Sequence, residues 1–325
     1  MAGAAAVALP PQPWARKFAR RLRSGDEIAH LITLIFAASV FLVTVLLFYE
    51  LWIHSGGSRA KFGLGFLFTR VWDPVAEKFG ALPFIYGTVL TSFLALLISV
   101  PLGVGAAIFL SELAPPRLSN ICTFLVELLA AVPSVIFGLL AIFTLVPLLR
   151  EYVEPFLKST LGFLPLFQGH AYGVGYLAAG LILAIMTFPF IISISREALL
   201  AVPREQREAA LALGATKWES TWQVVVPFAR LGIIGSIFLA LARALGETMA
   251  VTMVIGNDPG IHASLLAPGY TIAAIIANEF TEATGDVYLS ALVELGLVLF
   301  GVTMLLNASA RLLIVATARK GSRQE

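Results

Sequence analysis

The feature that most constrains this chain is a series of apolar runs, each of roughly 20 residues or more, the length that an α-helix needs to cross a lipid bilayer. Six such runs occur, at 31–49, 84–111, 121–149, 171–195, 231–255 and 287–310. Three of them contain isolated charges, namely Glu127 in the third run, Arg243 and Glu247 in the fifth, and Glu294 in the sixth. The runs predict an all-α, polytopic membrane protein with six transmembrane helices.

The composition agrees with this prediction. Hydrophobic residues make up 58% of the chain and charged residues 13%, whereas soluble domains average roughly 45–50% apolar and 25% charged residues. The net charge of +2 is too small to indicate binding to nucleic acid. From the apolar composition we expect membrane lipid around the chain. The single cysteine, Cys122, excludes an intrachain disulfide, and the histidine spacing offers no metal site. We therefore expect no cofactor and no metal on this chain.

The distribution of positive charge predicts the orientation in the membrane. Lysine and arginine are concentrated before the first run, in 196–230 and at the C-terminus. By the positive-inside rule these segments lie in the cytoplasm, and so do both termini. The predicted domains are a tail at 1–30, a transmembrane domain at 31–316 and a tail at 317–325. The first run is too long for a signal peptide, so we expect it to remain as a span.

Prolines and glycines within the runs predict how the helices pack. A bilayer helix tolerates proline where neighbouring helices satisfy the freed carbonyl groups, so these prolines predict kinks in a packed bundle. They are Pro101, Pro133, Pro147 and Pro189. Pairs of small residues, such as Gly232 and Gly235, predict close approach between helices.

The segment 204–227 begins with as many charges as a soluble helix. Pro203 suits a first helical turn, and Gly214 is placed to end that helix. Thr216 and Glu219 then fit a capping box for a second helix. The segment is therefore predicted to be a helix, a glycine turn and a helix outside the membrane.

The first of these helices has a small apolar face. Ala209, Ala210 and Leu213 can share that face, while charged residues, Arg207 among them, can face water. A linker lying on the membrane would show aromatic anchors and a basic face, which this helix lacks. We expect it to fit a groove on a partner protein.

A motif in this segment resembles the permeases of bacterial ABC importers. That family has Glu-Ala-Ala, three residues, Gly, nine residues, then Ile-x-Leu-Pro in a cytoplasmic loop. Here Glu208, Ala209 and Ala210 are followed at the same spacings by Gly214 and by Val-Val-Val-Pro ending at Pro227. The resemblance implies an ABC importer permease fold in which these residues form a coupling helix that docks on an ATPase subunit. No lysine directly follows a glycine, so the chain lacks a P-loop, and ATP is expected to bind to partner subunits.

Arg243 and Glu247 are the candidate substrate residues. Arg243 lies near the middle of the fifth run, where an arginine costs at least about 2.5 kcal/mol on insertion scales and should face the bundle or a wet path. Glu247 is its expected partner one helical turn away. The two can form a structural ion pair, or Arg243 can bind an oxyanion while Glu247 accepts a hydrogen bond from it. Phosphate carries a proton for that bond at neutral pH and sulfate does not, which favours phosphate without excluding sulfate.

Three segments together are similar to the PstC family of phosphate-specific ABC permeases. They are RALGETMAV at 243–251, AAVPSVIFGL at 130–139 and APGYTIAAIIANEF at 267–280. The resemblance implies the permease of an ATP-driven phosphate importer in the bacterial inner membrane. The implied partners are the paralogous permease PstA, two copies of the ATPase PstB and the external phosphate-binding protein PstS. A secondary transporter driven by an ion gradient is a rival that leaves 204–227 unexplained.

The last outer loop and two isolated carboxylates complete the expectations. The loop contains acidic residues, Asp258 and Glu279 among them, but no lysine or arginine. This rim would repel a free anion, which favours delivery by a docked protein. Within the loop, 264–277 is predicted to be either a dipping helix or a surface helix. For Glu127 and Glu294 a position at the membrane interface is preferred over one in the path.

Overall fold

The structure, a computed structural model, describes residues 26–321. The predicted tails at 1–30 and 317–325 therefore lie partly outside the described residues. Within the described range the chain is helical, and β-pairing is limited to two isolated bridges, Asp73 with Lys78 and Gly256 with Gly269. Clustering of contacts divides the chain into a unit that ends at Ile53 and a second unit that begins at His54.

Six helical stretches of the described chain are long and apolar enough to cross a membrane, which confirms the predicted number of spans. In chain order the first to sixth spans are Ile28–His54, Leu82–Leu113, Ser134–Leu161, Tyr176–Leu200, Lys217–Gly246 and Asp286–Ser309. The first belongs to helix Asp26–His54 and the sixth to helix Asp286–Gly321. The shorter helices are Gly56–Phe62, Gly65–Phe68, Pro116–Ala130, Arg204–Ala212, Met249–Val254 and Ile272–Glu279.

Several spans change helix type along their length. The second span is α-helix Leu82–Ile108 followed by π-helix Phe109–Leu113. In the third, the α-helices Ser134–Leu140, Val146–Leu148 and Glu154–Leu161 are joined by the π-helices Ala141–Leu145 and Leu149–Val153. The fifth consists of Lys217–Ser220, π-helix Thr221–Val225 and Val226–Gly246. A 3₁₀-helix, Pro165–Phe167, follows the third span.

The predicted third span, 121–149, has the wrong bounds. Helix Pro116–Ala130, here called the connecting helix, ends before Pro133, whose ψ of 142° is extended. The apolar helix that follows runs from Ser134 to Leu161. Proline has no N–H to donate and disfavours helical backbone in the residue before it, so Pro133 interrupts the helix instead of kinking it. In contrast, Pro101 and Pro189 lie inside continuous helices.

The fourth span is the centre of the second unit, and it packs along the second and fifth spans. Small residues allow these contacts: Gly232 faces the side chain of Ala198 so closely that a Cβ on Gly232 would overlap it. Near this contact, the hydroxyl groups of Ser195 and Ser236 are 2.7 Å apart and buried. A buried hydrogen bond between hydroxyl groups therefore joins the fourth and fifth spans.

An aromatic cluster lies where the segment before the second span packs against the sixth span. Trp72 and Phe84 have ring centroids 5.0 Å apart. Glu279, at the end of helix Ile272–Glu279, accepts hydrogen bonds from Trp72 Nε1 at 2.9 Å and from the Tyr288 hydroxyl at 2.5 Å. One carboxylate thus fixes the short helix to the segment before the second span and to the sixth span.

We predict that a methyl group at Gly232 destabilises the protein, whereas one at Gly235 does not. In Gly232→Ala the new Cβ must displace Ala198, and overpacking of this kind costs about 1–3 kcal/mol. Around Gly235 nothing lies within 4 Å of the new Cβ, so Gly235→Ala is the matched control. Thermal unfolding of the purified protein should show a lower midpoint for Gly232→Ala only. Equal midpoints would contradict the packing described for the fourth and fifth spans.

Candidate translocation and coupling sites

Arg243 lies where the helix of the fifth span stops. It occupies the last turn of helix Val226–Gly246. Its Cζ is 4.3 Å from the centroid of the Phe190 ring, and a cation–π contact contributes about 2 kcal/mol when desolvated. At a rise of 1.5 Å per residue, Phe190 is about 21 Å from Tyr176 and about 15 Å from Leu200, the two ends of the fourth span. The guanidinium therefore lies near mid-membrane depth.

Glu247 does not pair with Arg243, so of the two alternatives left open by the sequence the structural ion pair is not formed. The helix ends at Gly246, and Glu247 has extended backbone with ψ of 126°. Among the described residues, no ion pair joins the two side chains. One Glu247 oxygen instead accepts a long hydrogen bond of 3.5 Å from the backbone N–H of Ala250. The prediction assumed one continuous helix, whereas the break turns the carboxylate toward the next helix, Met249–Val254.

The break leaves Arg243 with unused hydrogen-bond donors. Its Nε atom is buried and has no hydrogen-bond partner. Irregular backbone at membrane depth is tolerated only where protein buries it or where it lines a water-filled cavity. A guanidinium without a carboxylate partner, beside such a break, can offer its planar fork to an oxyanion. The structure therefore leaves both Arg243 and Glu247 available to a substrate.

The helices of the segment 204–227 form as predicted. The first is Arg204–Ala212, and Gly214 follows it with φ of +91°, a conformation that favours glycine. The capping box is present: the Thr216 Oγ1 accepts from the Glu219 N–H at 3.2 Å, and the Thr216 N–H donates to Glu219 at 2.8 Å. The glycine turn and the cap together set the angle between the two helices.

Arg207 does not face water, which corrects the predicted polar face. It forms a two-pronged ion pair with Glu112, at 2.9 Å and 3.2 Å. It also donates to the carbonyl oxygens of Leu199 and Val202. These four contacts fix helix Arg204–Ala212 against the ends of the second and fourth spans. The sequence prediction missed Glu112, because the two partners are 95 residues apart.

The other side of this segment is uncovered. Glu208, Ala209 and Pro227 are exposed, Ala210 is half-buried, and Leu213 is 91% exposed. Apolar side chains in the open are typical of a surface that a partner covers. The exposed apolar face therefore fits the predicted partner groove.

Two exposed aromatic residues in the second helix were not part of that prediction. Trp218 and Trp222 stack with ring centroids 6.0 Å apart, at the start of the fifth span. Tryptophan is enriched where membrane meets water. This end of the segment therefore suits the membrane interface.

The loop between the fifth and sixth spans, predicted to form an acidic outer rim, is packed against the bundle. The helix predicted over 264–277 begins only at Ile272 and runs to Glu279. The N–H of Ile272 donates to the Thr88 hydroxyl at 3.0 Å, so the helix is packed on the second span. Burial raises the pKa of Tyr270, whose neutral hydroxyl accepts a bond from Asn278 at 2.8 Å.

The two isolated carboxylates have different environments. Glu127 is exposed on the connecting helix. Glu294 is 6% exposed and one of its oxygens has no hydrogen-bond partner. The sixth span therefore turns the Glu294 carboxylate into the bundle. Among the described residues, no group of histidine, cysteine and carboxylate side chains could hold a metal ion.

Comparison with known proteins places this architecture in a family. Residues 99–320 match the family described as binding-protein-dependent transport system inner membrane component. The phosphate transport system permease protein PstC of Mesorhizobium japonicum is 49% identical over 93% of this chain and 94% of its own length. A probable PstC of Methanocaldococcus jannaschii is 39% identical over 88% of this chain and 92% of its own. The chain belongs to the PstC family of permeases. It is a multi-pass inner-membrane protein, and its relatives are transport subunits, not enzymes.

Solved structures confirm the fold expected for the PstC family. A bacterial ABC transporter that imports the polysaccharide alginate matches with a TM-score of 0.55 at 16% identity, over 91% of this chain and 98% of its own. The inward-facing methionine ABC transporter MetNI matches with a TM-score of 0.53 at 18% identity, over 76% of this chain and 99% of its own. The predicted all-α ABC permease fold with six spans is therefore confirmed.

We predict that Arg207→Gln destabilises the protein by about 3 kcal/mol, since it leaves the Glu112 carboxylate, 10% exposed, without its partner. Thermal unfolding of the purified protein measures this effect. The double variant Arg207→Gln, Glu112→Gln should recover part of the loss, because it removes the unpaired charge. Arg204→Gln, an exposed arginine on the same helix, is the control and should change little. Losses that simply add in the double variant would contradict the pairing.

Proposed function

We propose that this chain is the membrane-spanning permease of an ATP-driven importer of inorganic phosphate. The observation that carries the proposal is the 49% identity to a PstC over 93% of the chain. The unpaired Arg243 at mid-membrane depth supports it from the chemistry, because a buried guanidinium with unused donors is suited to an oxyanion.

Arg243 and Glu247 have complementary roles in this proposal. The guanidinium fork binds two phosphate oxygens, and Phe190 keeps its plane in position. Glu247 accepts a hydrogen bond from a protonated phosphate oxygen. A structural ion pair would have used both groups, whereas Arg243 and Glu247 remain unpaired with each other and can both contact the substrate. Sulfate, which carries no proton at neutral pH, would meet the Glu247 carboxylate without a bond to offset the repulsion.

The segment 204–227 transmits the motion of the ATPase. We assign Glu208, Ala209, Ala210, Gly214 and Pro227 to a surface that docks on the ATPase, and the exposed Leu213 extends this surface. The paralogous permease PstA completes the path, two copies of PstB bind and hydrolyse ATP, and PstS delivers phosphate from outside. Both termini and this segment lie in the cytoplasm, so ATP-driven movement of the docked helix switches the permease pair from outward to inward facing.

The alternatives are less well supported. The relatives favour neither a sulfate importer nor a secondary transporter. They are named phosphate permeases, and they match this chain over nearly their whole length. A secondary transporter would also leave the docking surface without a purpose.

We predict that cells from which the gene is deleted lose uptake of labelled phosphate at micromolar concentration and regain it when the gene is restored. Labelled sulfate, measured in the same cells, should be unaffected. Restoration with Arg243→Gln should give less than about a hundredth of the wild-type rate, because two charge-assisted hydrogen bonds are lost. Co-purification of the ATPase with Arg243→Gln is the control for assembly.

Three results would contradict the proposed substrate or the proposed role of Arg243. Loss of sulfate uptake in place of phosphate would refute the substrate. Unchanged phosphate uptake by Arg243→Gln would refute the role of the guanidinium. Failure of this variant to assemble would make Arg243 a structural residue.

A further inference from the structure

The arginines near the coupling segment differ in how many of their donors are used. An arginine has five N–H donors. Arg207 donates four hydrogen bonds, to Glu112 and to two carbonyl oxygens. Arg196, in the fourth span, has one long hydrogen bond of 3.4 Å, from Nη2 to the Ser119 hydroxyl. Its Nε is buried without a partner, and no ion pair involves it in the described part of the chain.

Arg196 shares this pattern with Arg243. In both residues Nε is buried and unpartnered, and within residues 26–321 neither arginine forms an ion pair with a carboxylate. Arg243 stacks on Phe190, and Arg196 follows Phe190 by six positions on the same helix, which is about 9 Å along its axis. Two arginines with unused donors therefore lie at successive depths, the second nearer the coupling segment.

A threonine hydroxyl with the same property lies on the connecting helix. Threonines in the neighbouring spans donate to the carbonyl oxygen four residues earlier, as Thr88 does at 2.7 Å and Thr187 at 2.8 Å. The Thr123 Oγ1 is buried and makes no such bond. Thr123 is one turn beyond Ser119, the residue that Arg196 contacts, so both lie on one helix face.

We propose that Arg196 and Thr123 form an inner contact for the transported phosphate, between Arg243 and the cytoplasmic end of the path. This inference rests on the proposed function. A guanidinium and a hydroxyl with unused donors, and without an ion-pair partner in the described part of the chain, are the groups that bind phosphate oxygens. Conduction through a narrow path is favoured by several weak sites in series, because each lowers the barrier to leaving the previous one. Arg196 thus receives the anion that Arg243 releases.

The test uses the complete importer in proteoliposomes, with the permease pair, the ATPase and phosphate-loaded binding protein. The quantity measured is labelled phosphate moved per ATP hydrolysed. We expect Arg196→Gln to lower it roughly tenfold or more, since hydrogen bonds from a charged donor are lost. Thr123→Val should lower it several-fold, and Arg196→Lys should be intermediate because it keeps the charge without the fork.

Two matched variants control for nonspecific effects. Arg230→Gln removes an exposed arginine from the fifth span. Thr303→Val removes a hydroxyl whose bond, 2.7 Å to the Leu299 carbonyl, lies within one helix. Both should keep the wild-type ratio within about twofold, since Arg230 is exposed and the Thr303 bond lies within its own helix.

Four outcomes would overturn the inference. If Arg196→Gln keeps the wild-type ratio, Arg196 has no role in the path, while the proposed function stands. If transport and ATP hydrolysis fall together at a constant ratio, Arg196 contacts the ATPase. If native mass spectrometry shows that Arg196→Gln loses a bound phospholipid, its ligand is a lipid headgroup phosphate. If the wild-type complex moves no phosphate, the proposed function fails as well.

Discussion

The break in the fifth span, between Arg243 and Glu247, is the constraint on which the rest of this structure depends. An unpaired guanidinium near the middle of a membrane is costly, and an ion pair one turn away on the same helix would be the simplest compensation. The helix instead ends at Gly246, and the carboxylate turns toward the following helix. Among the described residues, the face of Phe190 is the group that compensates the charge of Arg243. The unused hydrogen-bond donors of the Arg243 guanidinium can therefore bind a ligand.

The regions on either side of the break are firmly fixed. On one side, Glu279 joins the short helix Ile272–Glu279 to Trp72 and Tyr288. On the other, Arg207 and Glu112 fix the first helix of the coupling segment to the spans. Fixed helices on both sides of a helix break suit a transporter in which a docked helix moves the spans as rigid bodies. The irregular backbone at the break would then absorb the change of conformation. In our proposal, this movement of the spans transmits ATP hydrolysis on the partner ATPase to the phosphate site.

Local signals made much of this predictable from the sequence. Run length predicted six spans, and the Thr216 to Glu219 spacing with Gly214 predicted the helix, turn and helix of the coupling segment. The failures are nonlocal or concern backbone breaks. Composition does not show that Gly246 ends a helix inside an apolar run, and hydropathy does not register an interruption at Pro133. The pair of Arg207 with Glu112 joins residues 95 positions apart, and no helical periodicity can reveal it.

The most direct test of a phosphate site at Arg243 is an electron cryo-microscopy structure of the complete importer, trapped with phosphate between its outward and inward states. We predict phosphate density within about 3 Å of the Arg243 guanidinium, the distance of a charge-assisted hydrogen bond. We also predict that Glu247 contacts the anion and remains apart from Arg243. An Arg243 guanidinium paired directly with Glu247, and phosphate density elsewhere in the path, would contradict both predictions.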